Sequence, residues 1–205
     1  YRVRHGQGYS VIESRYADIE TRATYFVPLH DPCEIWQLQI INRGTAPRKF
    51  QVFTYFEWLL GAAPDWHREF HRLFIRTWFN QEKGALLASK VLWDLPGEIG
   101  PHWNRDWAYV AFHSCSIYPS GHDAYKEAFL GRNQNLTAPK ALIEGRSLNT
   151  TGFWGDAIGS LQVEIELEAG QGTELIFTLG AAESETRALD LAERYQKPQA
   201  VQAAL

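Results

Sequence analysis

Apolar and polar positions alternate along most of the chain, and that alternation predicts strands. "YSVIES" (9–14) and "ETRATYFVPL" (20–29) switch character at nearly every step, and the short polar "RYAD" between them reads as a hairpin turn. "CEIWQLQIINRG" (33–44) places Ile35, Leu38 and Ile40 near a period of two, and "NRGTAPRK" then supplies turn residues before "FQVFTYFEWLL" (50–60). These four segments are read as an antiparallel meander. Further strands are predicted over 73–79, 84–91, 107–117, 159–168 and 173–180, the last two joined by "EAGQG" as a Gly-rich hairpin turn. From 183 onward the pattern becomes helical, and a helix over 184–195 sets Leu189, Leu191 and Tyr195 on a face that needs a partner surface. Periodicity fails over 92–106 and 118–158, where Gly, Pro, Asn, Trp and charged residues dominate; loops of such length are commonly functional. Around nine or ten strands with one terminal helix is an all-β pattern, a large antiparallel sandwich.

Composition narrows the function classes. With 45% hydrophobic residues in 205, the chain has material for a sizeable core. A formal net charge of -4, dispersed along the chain, offers no field for a phosphate backbone, so nucleic acid is not an expected partner. No apolar run approaches the roughly 20 residues of a membrane-spanning helix, so no membrane partner is expected and a cytoplasmic location is the expectation. Cys33 and Cys115 lie far apart and are read as reduced. The chain contains no Met and is read as a piece of a longer protein.

Three groups of residues could carry chemistry. In "DWHREFHRLF" (65–74), His67 and His71 stand four apart, but Glu69 occupies the middle of the interval rather than the place beside His67 that a zincin requires. The aromatic, strand-like flanks also argue against a helix there, so no metal site is assigned and the stretch is read as a loop with polar contacts. Aromatics make 14% of the chain, and Trp66, Trp93, Trp103, Trp107 and Trp154 fall in or at the edge of predicted loops, where flat rings beside polar groups suit sugars. Glu57, Asp65, Glu69, Asp94 and Asp106 are candidate acids for glycoside chemistry, although spacing alone selects no pair among them.

The blocks "RHGQGYS" (4–10), "YFVPLHDP" (25–32), "FTYFEW" (53–58), "KEAFLGRNQNLTAPKAL" (126–142), "GSLQVEIEL" (159–167) and "LIFTLG" (175–180) occur in the order found in glycoside hydrolase family 94, whose N-terminal region the chain resembles over nearly its whole length. The resemblance implies a supersandwich over 1–182, beginning after the family's first strands, and a helical linker over 183–205 leading to an (α/α)6 barrel that this chain lacks. It implies an inverting disaccharide phosphorylase, in which a general acid on the barrel protonates the glycosidic oxygen while inorganic phosphate attacks the anomeric carbon. No cofactor is implied beyond phosphate as co-substrate, no catalytic residue falls within this chain, and the chain alone is expected to be inactive. The implied partners are a disaccharide or sugar, the barrel of the same full-length protein, and a second copy in a homodimer. In such phosphorylases the segment after the "FTYFEW"-like strand reaches the neighbouring subunit's active site and touches the acceptor sugar. The paired polar residues there fall on His71 and Arg72. His71 stands where the family usually has Gln, which would make acceptor contact pH-dependent. In "KEAFLGRNQ" the expectation is structural: Phe129 and Leu130 anchor a turn shaped by Gly131 and Asn133. Two other readings are a carbohydrate-binding module and the equivalent domain of a cyclic β-1,2-glucan synthase.

Overall fold

A computed structural model describes residues 1–61, 72–90 and 107–205. Their strands form two stacked antiparallel sheets, as expected of an all-β sandwich. The larger sheet runs β1 (Arg2–His5), β2 (Tyr9–Tyr16), β3 (Ile19–Phe26), β4 (Cys33–Asn42), β12 (Gly172–Ala182), β9 (Val110–Cys115), β8 (Ala85–Lys90), β7 (Ile75–Asn80). The smaller runs β10 (Gly121–Tyr125), β11 (Ala157–Leu167), β5 (Arg48–Phe53), with the two-residue β6 (Phe56–Glu57) also pairing β11. Ile40, Leu86, Cys115, Leu175 and Phe177 of the first sheet meet Ala124, Leu161, Val163 and Leu167 of the second. Period-two alternation places them there, because one register step would turn the whole set outward. Cys33 and Cys115 are free and buried, and burial pushes the Cys33 thiol up to about 12.

The β2–β3 hairpin closes at Ala17 and Asp18, both with positive φ (47° and 64°), the twist-compatible geometry for a two-residue turn. Two other expected connections are different in kind. β5 does not continue a meander: β4 pairs with β12, and "NRGTAPRK" carries the chain across to the second sheet. Nor is "EAGQG" a hairpin turn, since β11 lies in one sheet and β12 in the other. Both segments are arches, and both close on Asn42. This side chain is fully buried, and its Nδ2 lies 2.8 Å from the Ala46 carbonyl and 3.1 Å from those of Leu167 and Glu168. Its Oδ1 accepts the Gly44 N–H at 3.0 Å.

The irregular 118–158 region contains β10 and two short helices, α1 (Lys126–Leu130) and α2 (Lys140–Glu144). Phe129 and Leu130 of α1 are buried, and Gly131 and Asn133 take positive φ (88° and 59°), as the anchored turn requires. Asp123 of β10 is fully buried and organises the returning loop, accepting from the Leu148 and Thr150 amides and the Thr150 hydroxyl.

The C-terminal segment forms α3 (Glu185–Tyr195) and α4 (Pro198–Ala204). Ser184 caps α3 by accepting the Arg187 N–H at 3.2 Å. Ala188, Leu191, Ala192 and Tyr195 lie on one helical face and bury against Phe26, Ile35, Leu87, Phe112 and Ile176 on the outer face of the large sheet. The partner surface for Leu191 and Tyr195 is therefore the sandwich itself, and their apolar character does not by itself demand another domain. Polar clamps fix the helix: Asp31 accepts from Tyr195 Oη at 2.6 Å and Arg194 Nη1 at 2.8 Å, and Lys83 pairs with Glu193 at 2.9 Å. Burial opposes the charge on Asp31, but the hydrogen bonds from Tyr195 and Arg194 outweigh it and hold the carboxyl below its ordinary value. Asp31→Ala leaves the Tyr195 hydroxyl without its acceptor and is expected to destabilise the chain by about 1–3 kcal/mol, read as a lower urea midpoint.

Candidate functional site

The described residues that flank 62–71 and 91–106 in sequence lie close together. Gly61 has φ +72°, and a Cβ placed on it would lie 3.4 Å from Trp107 and 3.5 Å from Lys90. Ile75 pairs with Lys90 across β7 and β8, so the start of β7 and the end of β8 meet at one end of the large sheet. Burial lowers the Lys90 ammonium to about 8.

Strand geometry puts a carboxylate at this end. Thr54 interrupts the run between β5 and β6 and inserts its hydroxyl into the sandwich, accepting the Leu161 N–H at 2.9 Å. Beyond it, Phe56 and Trp58 point inward, where Phe56 covers Gly159 so closely that no Cβ fits there. By alternation Tyr55 and Glu57 face outward. The Tyr55 ring packs on Phe129, with centroids 5.1 Å apart, and its hydroxyl donates to Glu57 at 3.0 Å.

Three charged groups converge around Glu57. Lys126, first residue of α1, pairs with it at 2.8 Å, and Lys126 Nζ lies 3.7 Å from Asp156, which precedes β11. Arg72 opens a 3-10 turn (Arg72–Phe74), and its Nη1 meets both Glu57 and Asp156, the latter at 2.9 Å. The hydrogen bond from Lys126 leads the interactions that hold Glu57 below its ordinary carboxylate value, and the bond to Asp156 leads those that raise Arg72. Glu57, Arg72 and Lys126 are half-buried and Asp156 is exposed, so the cluster is held by its own ion pairs while remaining in reach of solvent. A carboxyl held below its ordinary value is a weaker reservoir for a proton, which does not favour Glu57 as a general acid. It bonds two cations, Lys126 and Arg72.

Of the sequence candidates, Arg72 lies at the centre of this cluster. His71, Asp65, Trp66, His67, Glu69, Trp93, Asp94, Trp103 and Asp106 lie outside the described residues. Trp107 is half-buried beside Tyr109, whereas Trp154 is exposed next to the site, its ring 6.0 Å edge-on from Phe74. Lys126 and Asp156 carry no local sequence signal and become visible only in three dimensions. Among the described residues, no group of three or more His, Cys, Asp or Glu could hold a metal ion.

Comparison with known proteins agrees with this architecture. The chain is 31% identical over 185 residues to "Cyclic beta-(1,2)-glucan synthase NdvB" from Rhizobium meliloti (strain 1021), covering 90% of this chain and 6% of that protein. It is 25% identical over 198 residues to "Solabiose phosphorylase" from Paenibacillus borealis, covering 97% of this chain and 24% of that one. It is 26% identical over 188 residues to "3-O-beta-D-glucopyranosyl-beta-D-glucuronide phosphorylase" from the same organism, covering 90% and 23%. The chain thus spans less than a quarter of the length of each of these relatives. A family model described as "Glycosyl hydrolase 94, supersandwich domain" matches residues 1–198, and the chain belongs to that family.

Proposed function

We propose that this chain serves an inverting disaccharide phosphorylase of the bacterial cytoplasm by presenting acceptor-site residues, His71 and Arg72, to the barrel of a neighbouring subunit in a homodimer. The barrel of the full-length protein supplies the general acid, and phosphate supplies the nucleophile. The observation that supports this reading is the seat of Arg72, whose guanidinium is fixed by Glu57 and Asp156. A guanidinium held in this way keeps its planar donors oriented toward hydroxyl oxygens without the entropy loss of ordering a free arginine.

The experiment uses the full-length protein, with glucose 1-phosphate or N-acetylglucosamine 1-phosphate as donor and glucose, N-acetylglucosamine or gluconate as acceptor. Acceptor-dependent phosphate release is expected. Arg72→Ala is expected to raise the acceptor KM by about tenfold or more, the scale of a lost charged hydrogen bond, with the donor KM nearly unchanged. An unaltered acceptor KM would remove Arg72 from the subsite.

The 31% identity to a cyclic glucan synthase over 90% of this chain favours a second reading, in which the same domain serves an enzyme of β-1,2-glucan. Under it, a β-1,2-linked oligosaccharide replaces the monosaccharide as the acceptor that supports release.

A further inference from the structure

We propose that Trp154 and the charge-balanced cluster around Arg72 together form a subsite selective for a neutral sugar ring. The proposal rests on the acceptor role given above to Arg72, and two separate observations support its further step.

The first is the state of Trp154. Its side chain is 63% exposed although Trp is on average a well-buried residue, and its backbone sits at φ 66°, where a bulky residue costs about 1–3 kcal/mol. The loop is built to hold it there. Gly152 takes φ 136°, and the Tyr125 ring fills the space that a Cβ on Gly155 would occupy. Two contacts then place the indole beside the cluster. Phe74, in the same turn as Arg72, meets the Trp154 ring, and Asp156, two residues beyond Trp154, pairs with Arg72. An apolar ring face next to fixed donors and acceptors matches a pyranose, whose C–H face packs on the ring while its hydroxyls bond to the polar groups.

The second observation is charge. Arg72 and Lys126 are neutralised by Glu57 and Asp156. A sugar carboxylate approaching Arg72 would come close to the two carboxylates already bound to Nη1 and be repelled by both. Hydroxyl groups can donate to those carboxylates and accept from the guanidinium without that conflict. Net charge is a live distinction among the relatives, since one is named for a β-glucan and another for a glucuronide.

Glucose and glucuronate, which differ at a single carbon, provide the test as acceptors for the full-length protein. The expected preference for glucose is about tenfold or more in kcat/KM, the scale of like-charge repulsion across a site, and added salt should narrow it. Trp154→Ala should raise the glucose KM several-fold without moving the donor KM, and Trp154→Phe should recover most of the loss. Asp156→Asn, and independently Glu57→Gln, should shrink the discrimination on the order of tenfold and weaken its salt dependence. A merely structural role for either carboxylate would lower stability and leave the ratio alone. Glucuronate preferred by the wild type, a ratio unmoved by both carboxylate variants, or a glucose KM unmoved by Trp154→Ala would each overturn the proposal. If Arg72→Ala changes the KM of neither acceptor, or if no acceptor supports release, the acceptor role itself falls, and that outcome is distinct from losing only the neutral-sugar selectivity.

Discussion

Taking the chain from pH 7 to pH 4 is expected to lower its unfolding free energy by about 3 kcal/mol through His113 alone, the linkage value of a histidine moved from 6.5 to about 4. His113 is fully buried among Trp36, Phe56 and Phe177, and desolvation depresses its pKa, only partly opposed by the Thr178 carbonyl. Its bonds select one tautomer. Nδ1 lies 3.2 Å from the Thr178 carbonyl, which can only accept, so Nδ1 carries the proton. Nε2 then accepts from the Thr54 hydroxyl at 2.8 Å, whose oxygen in turn accepts the Leu161 N–H. A second proton on the ring would break this relay and place a cation in an aromatic cage.

The sign follows from the folded state binding this proton more weakly than the unfolded chain. The stability from His113 is complete above pH 6.5 and drains as pH falls toward 4. His122, stacked on Phe79 at 3.9 Å and also lowered to about 4 by burial, acts in the same direction. Asp123 acts in the opposite one: burial raises its pKa, so below the ordinary carboxylate range its protonation favours the folded state. Urea unfolding at pH 7, 5.5 and 4 measures the net effect. His113→Gln should be less stable at pH 7 yet lose about one proton's worth of slope between pH 6.5 and 4. A wild-type curve that stays flat across that window would contradict the assignment.

Much of the fold was legible because period-two alternation reports burial directly. Segments such as β3 and β4 carry it clearly, and the i, i+3, i+4 pattern of α3 reports its sheet-facing side equally well. What stayed hidden was pairing. The residues of "NRGTAPRK" and "EAGQG" suit a hairpin and an arch alike, and the choice is made by a bond from Asn42 to a carbonyl 125 residues away. β10 escaped notice because "GHDAY" is short and buries an aspartate rather than alternating apolar residues. β1 escaped because all four of its residues are exposed. The site divides in the same way. Arg72 was reached through family resemblance and Glu57 as a possible acid, but the ion pairs that define both depend on Asp156, 84 residues from Arg72, and on Lys126, 69 from Glu57. Aromatic density flagged Trp154, whereas its left-handed backbone has no sequence mark beyond the glycines on either side.

Asn42→Ala is expected to destabilise the chain by about 3 kcal/mol, since it strips several buried backbone groups of partners at once, each worth about 1–3 kcal/mol when left unsatisfied. Two amide protons serve three carbonyls, on Ala46, Leu167 and Glu168, so at least one proton is shared, and losing the side chain exposes two arches rather than one. Backbone bonds of the same residue, from Asn42 N to the Gln171 carbonyl and from Gly170 N to the Asn42 carbonyl, would survive the substitution and limit the damage to the side-chain share. Asn42→Asp separates hydrogen bonding from packing. It preserves shape but turns the donor into an anion facing three carbonyl oxygens, so at neutral pH it should be less stable than the alanine variant. As the pH falls, the new carboxyl takes up a proton, becomes a donor again, and should regain part of the loss while His113 is pulling the wild type downward. Opposite pH trends for Asn42→Asp and wild type in urea unfolding would establish that the crossing between sheets is held by donation from this one side chain. Equal losses for the two variants at every pH would assign the cost to packing instead.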